Sequence, residues 1–210
     1  KADYSLKERI LRDIKTRISL KRAEQIFTVS NFSKLETIRF YKTDPNKIEA
    51  ILSGVESTFQ PASQVEIQEF NKKYGLKDTI PTLGFLGSMF RRRHLKELIE
   101  AFNIVKKHQP MQLLLVGQDF YGGEIDSLLQ SDSLVWIPRI DEAEINQFYS
   151  SLDLFLYISE YEGFGFPPME ALKCGTISLL LEKTSLKEIY PEIACFTPDT
   201  SPNRIAGHIS

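Results

Sequence analysis

The chain has 210 residues, of which 42% are hydrophobic and 11% aromatic, enough to bury one or two ordinary cores without disulfides or metals. Its 26 basic and 28 acidic side chains leave a formal charge of -2, which excludes a global field that recruits nucleic acid or an anionic membrane, so any anion site must be local. Cys174 and Cys195 sit in apolar segments without metal-ligand spacing, which argues against a disulfide framework and fits a reducing cytoplasm. No signal peptide and no apolar run of bilayer length is recognisable. The start at Lys1 and the stop at Ser210 are expected to be truncations of a longer protein.

In chain order, Leu6, Ile10, Ile14, Ile18 and Leu20 recur at roughly helical spacing and predict one amphipathic helix from Ser5 to Glu24. A short strand follows from Gln25 to Ser30. Asn31 and Ser33 offer cap chemistry for a helix to about Tyr41, closed by the Thr43-Asp44-Pro45 turn. Another strand runs from Ile48 to Leu52, and a helix from Gln64 to Tyr74 ends at Gly75.

From there the pattern is regular. Strands are expected at Thr82 to Gly87, Gln112 to Gly117, Leu134 to Ile137, Leu154 to Ile158 and Ile177 to Leu181. Helices alternate with them at Leu95 to Lys107, Gly123 to Gln130, Glu142 to Ser151 and Phe166 to Lys173, and a last helix begins near Pro202. Such alternation predicts an α/β fold: a Rossmann-like parallel sheet with helices on both faces. Ligands of such sheets bind beyond the carboxyl ends of the strands, which selects the loops Ser88 to His94, Gln118 to Gly122 and Ser159 to Gly165.

The third of these loops carries the most chemistry, reading S-E-Y-E-G-F-G-F-P-P-M-E-A-L from Ser159 to Leu172. Gly163 and Gly165 permit close backbone approach, so the amides of Gly163, Phe164, Gly165 and Phe166 can face an anion at a helix amino terminus. Pro167 and Pro168 are tolerated in a first turn and donate nothing. Glu162 and Glu170 flank the turn about 12 Å apart if fully helical, too far for a close acid/base pair. They suit different parts of one extended ligand: ribose for Glu170, diphosphate for the amides, sugar for Glu162. The plainer reading is that both glutamates merely favour the helix amino terminus electrostatically.

This segment, followed by Cys174-Gly175, resembles the E-x(7)-E segment of family 4 retaining glycosyltransferases of the GT-B fold. Thr82 to Phe102 is similar to that family's strand, phosphate-contacting loop and helix, Leu113 to Gly117 to its next strand, and Asp153 to Tyr157 and Thr184 to Ile189 follow in order. Thr28 to Ser30 and Ser53 to Glu56 resemble the end of the acceptor domain and the crossing between domains. The resemblance implies residues 1–45 as a remnant of the N-terminal acceptor domain and connection, and 46–210 as the donor-binding domain. In the family a basic pair after the first strand holds the donor diphosphate. The matching positions, after Gly87, are Ser88 and Arg93, so one charge is replaced by a hydroxyl; Arg91 or Arg92 could compensate or be solvated. Pro138-Arg139 stands where a glycine often precedes a base-contacting backbone, which makes Arg139 a donor-site candidate.

Other signatures fail. Gly117 to Glu124 lacks the lysine and hydroxyl of a P-loop, and Gly163-x-Gly165 lacks the third glycine of a dinucleotide fingerprint. No G-x-S-x-G, H-E-x-x-H or D-x-D occurs, so neither metal nor other cofactor is expected. The resemblance implies retaining transfer of a sugar from a UDP- or GDP-linked donor to a glycan or lipid-linked acceptor. Glu162 and Arg93 would serve catalysis, while Gly87, Ser88, Arg93, Arg139, Gly163, Phe164, Gly165, Phe166 and Glu170 would hold the donor. Nucleic acid is not an expected partner, and membrane contact is left to the missing domain. A non-catalytic GT-B partner or regulatory subunit of a glycosylation complex, and a nucleotide-sugar epimerase, stay open as alternatives.

Overall fold

The computed structural model describes residues 5–119 and 126–210, in two compact units, Lys1–Gly54 and Val55–Ser210. The boundary between the two units falls at Gly54. The reason is local: strand β1 (Ile26–Thr28) pairs in parallel with β2 (Ile48–Ala50), which ties residues 48–50 to the first unit.

In that unit, α1 (Leu6–Arg22) starts with a capping box in which Ser5 and Glu8 satisfy each other's backbone donors. Helix α2 (Asn31–Tyr41) is capped by Ser30, whose hydroxyl accepts from the Ser33 amide at 3.1 Å, one residue before the expected Asn31. Asp44 caps a single 3-10 turn, Pro45–Lys47, that leads into β2.

The second unit is a six-stranded parallel sheet. After α3 (Gln64–Tyr74), ended by Gly75 in the left-handed conformation, come β3 (Thr82–Leu86), α4 (Leu95–Lys106), β4 (Gln112–Val116), α5 (Asp126–Leu129) and β5 (Leu134–Ile137). Then follow α6 (Ile145–Ser150), β6 (Leu154–Tyr157), α7 (Phe166–Lys173), β7 (Ser178–Leu181), α8 (Thr184–Ile189), β8 (Cys195–Thr197) and α9 (Pro202–Ile209). The expected start of the helix before Gln130, and most of the Gln118 to Gly122 loop, lie outside the described residues.

Period-two alternation in the strands divides the apolar side chains between two cores. Leu83, Phe85, Leu113, Leu115, Leu156, Leu179 and Leu181 face one core, closed by Leu98, Phe102 and Val105 of α4 and Ile205 of α9. Leu114, Val116, Phe155, Tyr157 and Leu180 face the other, closed by α3, α6, α7 and α8 through Phe70, Phe148, Ala171 and Leu186. Each such fully buried Leu or Phe contributes about 1.5–3 kcal/mol of transfer free energy. Burial on both faces explains why β4 is apolar at nearly every position.

At the carboxyl end of the sheet β3 and β4 meet through glycines. Gly87 has φ 130° and Gly117 φ 142°, and a Cβ on Gly117 would stand 2.0 Å from the Gly87 carbonyl oxygen. Only a missing side chain allows this approach. Gly117→Ala is expected to destabilise the protein by about 1–3 kcal/mol, from strain and displacement together; urea denaturation measures it, and an unchanged midpoint would refute the close packing.

Candidate functional site

The strand order β5-β4-β3-β6-β7-β8 reverses direction once, between β3 and β6. The chain leaving β3 moves outward toward β4, and the chain leaving β6 moves the other way toward β7, so the two departing loops diverge over a crevice. Those loops are Gly87 to His94 and Ser159 to Gly165, two of the three selected from sequence. They are tied together: the Glu160 amide donates to the Arg92 carbonyl at 3.0 Å, and Arg92 Nη1 donates to the Tyr161 carbonyl at 3.2 Å.

Glu162 is the centre of this junction. Its Oε1 accepts from Ser159 Oγ at 2.8 Å and from Arg92 Nη1 at 3.0 Å, with Arg93 Nη2 at 3.7 Å. Its backbone carbonyl accepts from Ser185 Oγ at 2.9 Å. The Glu162 side chain is 15% exposed, Arg93 13% and Arg92 33%. Arg93 reaches in because Gly87 has no side chain: a Cβ there would lie 2.0 Å from Arg93 Nη1. That guanidinium also donates weakly to the Ser88 carbonyl, at 3.4 Å, and stands 5.5 Å from the centre of the Tyr157 ring. Burial pushes the Tyr157 hydroxyl up, Arg93 opposing and Glu162 reinforcing, so it stays protonated beside the carboxylate.

The structure thus brings Gly87, Ser88, Arg93 and Glu162 together as expected, but the balance among the arginines differs. Arg92, offered from sequence only as a compensating or solvated residue, makes the shorter contact with Glu162, while Arg91 is exposed. The cause is the 3-10 turn Arg91–Arg93, whose threefold repeat turns three adjacent arginines in three directions.

The amino terminus of α7 closes the crevice. Gly165 takes φ 88° and ψ 63° to start the helix, its carbonyl accepts from Tyr190 Oη at 2.6 Å, and an added Cβ would lie 2.7 Å from Leu186. Phe164 is buried and Phe166 exposed, their rings 4.8 Å apart. Pro167 and Pro168 occupy the first turn, so the amide donors there come from the residues before them. Glu170, one turn into the helix, accepts from Tyr149 Oη at 2.7 Å. Burial raises its pKa above the ordinary carboxylate range; the Tyr149 bond opposes the shift and Glu56 adds to it. Neither glutamate is simply a solvated neighbour of the helix dipole, since both are held by protein donors.

Arg139 lies outside this cluster. It is exposed just beyond β5, two strands from β3, on the same carboxyl edge of the sheet. Tyr149, Ser159, Ser185 and Tyr190 went unrecognised in the sequence, because each acts across 3 to 25 residues on a partner that only the packing reveals. Among the described residues no group of three His, Cys, Asp or Glu side chains could hold a metal ion, and no helix is long and apolar enough to cross a membrane.

A carboxyl with raised pKa is held protonated more readily in the folded than in the unfolded chain. Its destabilising effect as a carboxylate is therefore absent at low pH and develops as pH rises through the ordinary glutamate range and above. Glu170→Gln, which keeps an acceptor for Tyr149, is expected to equal or exceed the parent in stability at neutral pH, with the difference vanishing near pH 4. Parallel denaturation curves at the two pH values check this, and a variant less stable at neutral than at acid pH, relative to the parent, would contradict it.

The family model for glycosyl transferases group 1 matches residues 66–209. The O-antigen chain mannosyltransferase B of Escherichia coli is 27% identical over 198 residues, which cover 91% of this chain and 52% of that protein. The serotype-specific mannosyltransferase WbdA of Escherichia coli is 29% identical over 195 residues, covering 84% and 23%. The chain therefore spans about half, or less, of the length of these curated relatives. Among solved structures, Anabaena Alr3699/HepE in complex with UDP and glucose superposes with a TM-score of 0.80 at 17% identity, over 94% of this chain and 55% of that one, a likeness of fold. The doubly covered parallel sheet is that of the C-terminal half of a GT-B enzyme, and the chain belongs to the group 1 glycosyl transferases.

Proposed function

We propose that the intact protein transfers a sugar from a nucleoside diphosphate donor to a hydroxyl of a glycan or lipid-linked acceptor, with retention at the anomeric carbon and without a metal. The observation that carries this reading is the meeting of two guanidinium groups and Glu162 at the sheet's switch point, beside a helix amino terminus that bears Glu170 one turn further in. Phosphate oxygens suit both the cationic loop and the amides of Gly163 to Phe166. The ribose hydroxyls suit Glu170, whose Oε2 is fixed by Tyr149 while Oε1 has no described hydrogen bond. As the bond from anomeric carbon to diphosphate breaks, negative charge grows on the leaving oxygen, and the preorganised donors and Arg93 stabilise it. Glu162, held by Ser159 and the arginines, orients the donor sugar.

The two Escherichia coli relatives are named mannosyltransferases, which makes mannose the first donor sugar to test, on both UDP and GDP. Acceptor-binding groups belong to the remainder of the enzyme, of which residues 1–45 are a remnant, so this chain alone binds nucleotide weakly and turns nothing over. The reaction is cytoplasmic, and any membrane contact is made through the acceptor domain. Ser88, neutral where the resemblance implies a base, favours a second reading: a non-catalytic partner in a glycosylation complex. Donor hydrolysis and transfer by the intact protein separate the two, and nucleotide binding without turnover of any donor supports the partner.

Two substitutions test the roles. Glu170→Ala is expected to weaken nucleoside diphosphate binding by on the order of tenfold through lost ribose hydrogen bonds, and calorimetric titration with unchanged affinity removes that role. Glu162→Ala should cut turnover by on the order of a hundredfold, far more than it changes nucleoside diphosphate affinity; equal losses in steady-state kinetics and binding would instead mean local unfolding.

A further inference from the structure

Tyr149 of α6 is fully buried among rings: Phe148, Phe155 and Phe59 meet it edge-on at centroid distances of 5.2, 5.3 and 6.4 Å. Its backbone carbonyl accepts from Thr176 Oγ1 at 2.6 Å, so ring and main chain are both fixed. From this apolar setting its hydroxyl donates to Glu170 Oε2 at 2.7 Å. A buried hydroxyl needs an acceptor, and that need alone would explain the bond from the side of the tyrosine. The side of the carboxylate adds more. Glu170 is half-buried, and the titratable groups facing it are Tyr149, Tyr190 at the end of α8, Cys174 at the end of its own helix and Glu56 before α3. Tyr190 directs its proton to the Gly165 carbonyl and Cys174 to Asn146, while Glu56 is a like charge. Tyr149 is therefore the one neighbour among them that donates to the Glu170 carboxylate, and Oε1 has no hydrogen bond among the described residues.

We propose that Tyr149 is a positioning residue for nucleotide binding: its hydroxyl holds Glu170 Oε2 in place and so presents Oε1 to the ribose hydroxyls. This rests on the donor-site reading above. The terminal torsion of a glutamate is broad, and a single bond from an immobile ring fixes it where packing alone would not. Oε1, with two lone pairs, then accepts from both hydroxyls of the ribose. The same bond favours the charged form of Glu170, opposing burial and Glu56, which both push its carboxyl up. That matters because a protonated carboxyl gives up part of its capacity to accept. Tyr149 thus sets both the direction and the charge of the ribose acceptor without touching the nucleotide.

The test titrates the intact protein, Tyr149→Phe, Glu170→Ala and the double variant calorimetrically with UDP, GDP and their dideoxy counterparts, which lack both ribose hydroxyls. Tyr149→Phe keeps the ring and removes only the donor. It is expected to bind whichever diphosphate the parent binds on the order of fivefold more weakly, with affinity for the dideoxy form unchanged. Added to Glu170→Ala, it is expected to cause no further loss. The ratio of ribo to dideoxy affinity, in which titration of the phosphate cancels, falls with pH as Glu170 takes up a proton. In Tyr149→Phe that fall is expected to set in at higher pH than in the parent, since a bond favouring the carboxylate is gone. A tyrosine that merely fills the core would weaken both forms alike and leave the pH profile unmoved; either result overturns the inference, as does a Tyr149→Phe variant that binds the ribo form as tightly as the parent. If the parent binds neither diphosphate, or does not distinguish ribo from dideoxy, the assignment of Glu170 to the ribose itself fails, and this inference with it.

Discussion

The reversal of strand order between β3 and β6 is the constraint on which the site depends. Parallel strands end with their carboxyl termini on one edge of the sheet, and at every other step along it the loops follow one another in the same direction. At this step they part, and the gap must be lined by whatever the two loops carry. Here one carries three consecutive arginines and the other two glutamates and two glycines. The attraction between Arg92 and Glu162, together with the hydrogen bonds from the Glu160 amide to the Arg92 carbonyl and from Arg92 to the Tyr161 carbonyl, ties the two loops across the gap.

Such a site is built at some cost to the fold. A carboxylate is kept half-buried at Glu170, above its ordinary pKa. Thr184, β-branched, sits at φ 56° with its hydroxyl buried and without a hydrogen-bond partner among the described residues. The next residue, Ser185, is the one whose hydroxyl holds the Glu162 carbonyl. His94 likewise takes φ 48°, between Glu97 and Glu160 at 3.4 and 3.3 Å but without hydrogen-bond geometry to either. Two of the three non-glycine residues with positive φ among the described residues, His94 and Thr184, thus flank the crevice. The two well-filled cores on either side of the sheet supply the stability that tolerates this.

Much of this was legible in the sequence because the strands are buried on both faces and the helices on one. The limits of α3, α7 and β5 follow directly from a serine cap, a terminal glycine, paired prolines and an unbroken apolar run. β8 escaped notice because three residues at the sheet edge, one of them an exposed cysteine, give no periodicity. The helix expected from Glu142 begins instead as a 3-10 turn, since Asp141 caps the Ala143 amide and sets the tighter geometry. Glu162, Gly165 and Glu170 could be singled out as candidates because they lie within one short, local stretch of sequence. The contact of Arg92 with Glu162, and the contacts of Tyr149, Ser185 and Tyr190, were not legible because their partners come from other strands and helices and no local pattern encodes the direction in which a side chain leaves a 3-10 turn.

The central claim is that a diphosphate occupies the space between the arginine loop and the start of α7. A crystal structure of the intact protein with bound nucleoside diphosphate tests it most directly. The account predicts phosphate oxygens within hydrogen-bonding distance of the Gly163 to Phe166 amides and of Arg93, with the ribose hydroxyls on Glu170. A nucleotide seated elsewhere, with Glu162 and Glu170 keeping only their protein partners, would contradict it.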